Sequence, residues 1–162
     1  MKKIVDIDDA GLRYLEHRAH TKKEMRDHLR KKEYEENEIE DLIKRFAEVH
    51  YLDDAAYSSM FMKYAFGKGW SYNRVRMELR KRGVDDADAE KGRFAFEDEY
   101  EIDIDSEEER RAAFQAEKFM KTAGAPDKKT LAKLGRRLSG FGYTPGVIYK
   151  VTGKYMTGHY DE

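Results

Sequence analysis

The chain has 162 residues, enough for one ordinary domain or a few very small ones. Charged residues make up 40%, yet the formal net charge is only -1, and 40% of residues are apolar; this balance argues against a disordered tail and supports a packed core. The absence of cysteine excludes disulfides, zinc–thiolate sites and thiol nucleophiles.

Met1 to Asp8 carry no apolar stretch long enough for a signal peptide. No window approaches the roughly 18 uncharged apolar residues of a membrane span, so a cytoplasmic protein without a membrane partner is expected. Leu12 and Leu15 mark a first helix. Thr21 then opens a pattern in which Met25, Leu29 and Tyr34 follow at offsets of 4, 8 and 13. A Thr or Ser accepts a bond from a free N–H at a helix start, and offsets of 4 and 8 share one helix face. Thr21 with Glu24 is also spaced as a capping box. Ile39, Leu42, Ile43 and Phe46 form the stripe of a third helix.

The same sequence of signals returns twice. Asp53 and Asp54 precede a helix marked by Tyr57, Phe61 and Tyr64, where acidic side chains suit capping better than metal binding or acid–base chemistry. Ser71 leads to Val75, Leu79 and Val84, with Gly83 placed to end the helix in the left-handed conformation. Ala89 and Phe96 continue into another helix, and the acidic stretch Glu97–Asp105 reads as a solvated linker. Ser106, with Glu109, is expected to cap a helix marked by Phe114 and Phe119. Thr130 leads to Leu134, Leu138 and Tyr143, with Gly142 as the stop; Glu33 holds that place in the first copy. Thr144-Pro145 then starts a helix carrying Ile148, Val151 and Tyr155. The expectation is all-α: three tandem three-helix repeats over residues 8–50, 51–99 and 106–158.

Charge is sorted along these repeats. The middle helices are basic, with Lys22, Lys23, Arg26 and Arg30 in the first, Arg74, Arg76, Arg80, Lys81 and Arg82 in the second, and Lys133, Arg136 and Arg137 in the third. Third helices open acidic. One reading is complementation of the helix dipole; the other is a basic stripe suited to phosphates or to an acidic protein groove. A pI near 6.5 favours a protein partner over nucleic acid. Trp70, the only tryptophan, reads either as a hydrophobic staple ahead of the Ser71 cap or as an anchor in a binding surface. His17 and His20 could share a helix face, but nothing completes a metal site around them, and His28, His50 and His159 stand alone. No phosphate loop or nucleophile elbow is present, so neither an enzyme nor a cofactor is expected.

The run Tyr51-Leu52-Asp53-Asp54-Ala55-Ala56-Tyr57 is followed by Lys68-Gly69-Trp70-Ser71, Arg74-Val75 and Leu79-Arg80-Lys81-Arg82-Gly83-Val84. Together with Leu15-x-x-Arg18 and Thr21-Lys22-Lys23-Glu24-Met25, this order of motifs resembles the RecX family. The resemblance is strongest from about Leu12 to Phe96. It implies an elongated, curved array of three-helix repeats that binds the RecA nucleoprotein filament in its helical groove; a monomer is expected. It also implies that the protein modulates, usually inhibits, recombinase, ATPase and co-protease activities, with possible contact to single- or double-stranded DNA. Two rivals remain open at this point: a helix-turn-helix DNA-binding protein, and a helical scaffold for another protein partner.

Overall fold

The computed structural model describes residues 5–157. Met1 to Ile4, Gly158 at the expected end of the third repeat, and His159 lie outside the described residues. Among the described residues the chain forms nine α-helices and no strand. The first triplet is α1 (Ile7–Leu15), α2 (Lys22–Lys31) and α3 (Glu36–Glu48); the second is α4 (Asp54–Gly67), α5 (Tyr72–Lys81) and α6 (Asp86–Tyr100); the third is α7 (Glu108–Ala123), α8 (Lys128–Gly140) and α9 (Pro145–Thr157).

The starts and stops of the middle helices follow from local chemistry. At Thr21 both halves of the capping box form, the hydroxyl accepting from Glu24 N–H and the Glu24 carboxylate accepting from Thr21 N–H. Ser71 accepts from Arg74 N–H at 3.4 Å. The third middle helix departs from expectation: Asp127, not Thr130, is its N-cap, and the carboxylate takes Thr130 N–H at 2.7 Å. A carboxylate in that place is a stronger acceptor than a hydroxyl, so α8 gains nearly a turn. Gly83 and Gly142 end their helices at φ 82 and 96, and Glu33 occupies the same left-handed region at φ 66.

Two other expectations need correction. Ser106 caps nothing; its hydroxyl donates to Asp103 O, and α7 begins without a side-chain cap. Glu97–Asp105 is not a solvated linker either. Helix α6 continues to Tyr100, Ile104 is fully buried, and its N–H is held by the Glu97 carboxylate at 2.9 Å. One apolar residue in an acidic run suffices to anchor the joint.

The large residues expected to mark the first helix of each triplet are partly outward. Leu12, Tyr64 and Phe114 are exposed, while Ala10 and Gly11, or Ala112 and Ala116, face the core. Small residues let these helices pack closely: a Cβ on Gly11 would lie 3.0 Å from the Phe46 ring. Gly92 in α6 likewise allows contact with α4, since a Cβ there would lie 2.6 Å from Ala55 O.

By packing, the chain divides into two compact units. One comprises the chain up to Met60 together with Glu78–Ala95; the other comprises Phe61–Met77 and the chain from Phe96. Helices α4, α5 and α6 contribute to both. Met25, Leu29, Ile39, Leu42, Ile43 and Phe46 form the heart of the first core. Ala112, Ala116, Leu134, Leu138, Tyr143 and Val151 form the second.

Candidate partner-binding surface

The basic middle helices are fixed by a junction that occurs twice. In the first unit, buried Thr21 donates its hydroxyl to Arg82 O at 2.7 Å, and Lys22 N–H donates to the Asp54 carboxylate at 3.0 Å. Gly83 must be glycine, because a Cβ there would collide with the Lys23 side chain. In the second unit, Ser71 N–H donates to Phe141 O at 2.8 Å and Tyr72 N–H approaches the Glu108 carboxylate at 3.4 Å. A Cβ on Gly142 would lie 2.6 Å from Ser71 Oγ. Each time, an acid from the next triplet faces a free N–H at a middle-helix start, and the turn of that triplet accepts either the capping hydroxyl of Thr21 or the N–H of Ser71.

Sequence reasoning missed the acids. Asp53 caps α4 through Ala56 N–H as expected, but Asp54 turns away to hold α2 and is buried, which pushes its carboxyl above the usual range. An acid at the first position of a helix that follows a complete triplet was the available signal.

Most of the expected contact cations are engaged within the chain. Lys22 is half-buried beside the junction. Lys23 pairs with Asp27 at 2.7 Å, Arg26 with Glu40 and Arg30 with Glu36 at 2.6 Å. Arg80 lies 3.3 Å from Asp86, Lys81 3.5 Å from Glu78, and Arg82 2.9 Å from Glu78. Arg76 sits 6.0 Å from the Tyr72 ring, and Arg137 lies 5.2 Å from the Phe141 ring. Lys133 and Arg136 on α8 are exposed and make no ion pair among the described residues. Exposed ion pairs contribute only about 0–1 kcal/mol, so a partner carboxylate or phosphate can compete for the paired cations too.

Trp70 packs against residues of its own unit at the start of α5. It is half-buried ahead of the Ser71 cap, with its ring 6.0 Å from Phe61. The Arg74 guanidinium lies 3.9 Å above it while donating to Gly140 O at 2.8 Å. Arg74 therefore ties the Trp70 ring to the last turn of α8.

Two of the histidines stack on a tyrosine. Tyr14 is sandwiched between His20 at 3.6 Å and His28 at 3.8 Å. His17 is exposed, and no group of three or more His, Asp or Glu among the described residues is placed to hold a metal ion. Burial first, then Arg18, lowers the His20 pKa; burial, then Lys32, lowers that of His28. Both rings therefore favour the neutral form in the fold, while the unfolded chain protonates near the ordinary imidazole value. The stability they contribute is complete above that value and lost as pH falls. The urea midpoint should drop between about pH 7.5 and 5.5; an unchanged midpoint would contradict this.

No helix among the described residues is long and apolar enough to cross a membrane. Two family models match the chain: RecX, first three-helix domain, over residues 9–46, and RecX, second three-helix domain, over residues 53–92. The regulatory protein RecX of Vibrio parahaemolyticus is 32% identical over 136 residues, covering 84% of this chain and 83% of that protein. The chain belongs to the RecX family. The regulatory protein RecX of Streptomyces lividans is 29% identical over 143 residues, 86% of this chain and 72% of that one. The fold is also that of crystalline RecX from Lactobacillus salivarius, with a TM-score of 0.74 at 20% identity over 93% of this chain and 95% of the other. The exposed pair Lys133 and Arg136 lies beyond the two matched RecX domains, in the third triplet.

Proposed function

We propose that this RecX-family chain is a cytoplasmic, monomeric regulator that binds the RecA nucleoprotein filament along its helical groove. Binding lowers the filament's recombinase, ATPase and co-protease activities, without chemistry performed by the chain itself. The observation that carries this reading is membership of a family of regulatory proteins, joined to basic middle helices held rigid by a repeated junction. Their charges would meet acidic groove residues through charge-assisted bonds.

A second reading adds direct contact between the same cations and DNA, which Lys133 and Arg136, exposed and without an ion pair among the described residues, favour. The helix-turn-helix rival fares worse in the first two triplets, where the third helices open with acids, Glu36 and Glu38 in α3 and Asp86 and Asp88 in α6; α9 carries no acid in its first turn.

Co-sedimentation with RecA filaments on single-stranded DNA tests the binding step. The chain should pellet with filaments and much less with the DNA alone. Pelleting equally with naked DNA would favour the second reading, and no pelleting with filaments would remove the proposal.

A further inference from the structure

The junction between triplets has two halves: the turn that closes one middle helix, and the start of the middle helix before it. Among the described residues, three middle helices and two junctions leave two halves unused, one on α2 and one on α8. On α2 it is the turn Lys32–Glu33, where Lys32 O corresponds to the acceptors Arg82 O and Phe141 O. On α8 it is the helix start. A second copy of this chain carries both halves, so nothing in the internal junctions alone prevents copies from adding end to end, as heterologous contacts do.

The two spare halves differ from the used ones. The docked turns have Gly83 and Gly142, whose missing Cβ atoms leave room for Lys23 and for Ser71 and Arg74. The spare turn has Glu33, exposed and held at φ 66, a conformation that suits glycine better. It borders an open cleft of about 760 Å³ lined by Tyr14, His28, Lys31, Lys32 and Tyr34. The used helix starts are the buried hydroxyls Thr21 and Ser71. The spare start is longer: α8 has 13 residues against 10 in α2 and α5. Thr130, which aligns with Thr21 and Ser71, is preceded by Asp127-Lys128-Lys129. Without those three residues, the loop between α7 and Thr130 would be Gly124-Ala125-Pro126, matching in length Lys68-Gly69-Trp70 between α4 and Ser71.

We propose that Glu33 and the Asp127–Lys129 insertion close the two junction halves left unused among the described residues, so that a second copy of this chain cannot dock its junction half there. Terminal units of repeat proteins generally need such atypical ends. At Glu33 the block is a side chain where the junction admits none, and at α8 it is most of a helical turn, headed by a carboxylate, over the docking position.

Three variants test this by sedimentation velocity from micromolar to millimolar concentration: E33G, a deletion of Asp127–Lys129, and the two combined. Each single variant should stay monomeric, having one open end. A one-to-one mixture of the singles should form a heterodimer and stop there, and the double variant should grow with concentration beyond a dimer. A monomeric double variant with native helicity would overturn the proposal. So would equal self-association of either single variant, because then the contact is not end to end. Loss of helicity on E33G or on the deletion would also count against it, since glycine suits that backbone and the deleted residues should be dispensable to the triplet. Failure here would leave RecA binding untouched, because the two are measured separately.

Discussion

Replacing Arg111 with alanine should lower stability by about 3 kcal/mol, read as a fall in urea midpoint. Arg111 is well buried at 15% side-chain exposure and pairs with Glu108, exposed 19%, at 2.7 Å. It also donates to Ile104 O at 2.9 Å, and its guanidinium lies 4.3 Å from the Phe66 ring centre. Nε is buried without a hydrogen-bond partner, a cost tolerated because the other contacts are good. The same Glu108 carboxylate approaches Tyr72 N–H at the start of α5. Removing the arginine strands a half-buried carboxylate, frees the carbonyl that ties the α6–α7 joint and loosens the junction. A loss below about 1 kcal/mol would mean that the pair behaves as an ordinary surface contact.

Reversing charge at Lys133 and Arg136 together should weaken RecA-filament binding roughly tenfold or more while leaving helicity unchanged. Both side chains are exposed on α8 and have no internal ion pair among the described residues, so reversal leaves no stranded partner. Reversal at Arg80, Lys81 and Arg82 is a less clean experiment. Arg80 pairs with Asp86, and Lys81 and Arg82 pair with Glu78, so reversal would set like charges together within the chain and folding and binding would change together. Unchanged affinity in the Lys133/Arg136 variant would place the contact on another surface.

What was legible in the sequence, and what was not, divides by distance along the chain. Met25 and Leu29, Val75 and Leu79, and Leu134 and Leu138 are all fully buried, because helical spacing reports burial within one element. Gly83 and Gly142 were readable for the same local reason. The reason Glu33 can replace glycine was not readable, since it depends on what docks against the turn. The junction roles of Asp54, read only as a cap, and of Glu108 escaped notice because their partners lie 32 and 36 residues away, where no periodicity connects donor to acceptor. Phe114 misled because size suggests burial, whereas close helix packing selected Ala112 and Ala116. The basic residues of the expected surface were easy to find, but the carboxylates that occupy them, such as Glu40 for Arg26, become visible only once α2 and α3 are folded together.

Titrating this chain into RecA turning over ATP on single-stranded DNA is the decisive measurement. Hydrolysis should fall progressively, and the Lys133/Arg136 reversal should need a correspondingly higher concentration for the same fall. A hydrolysis rate that stays flat up to one chain per RecA subunit would contradict the assignment of this RecX-family protein as a filament regulator.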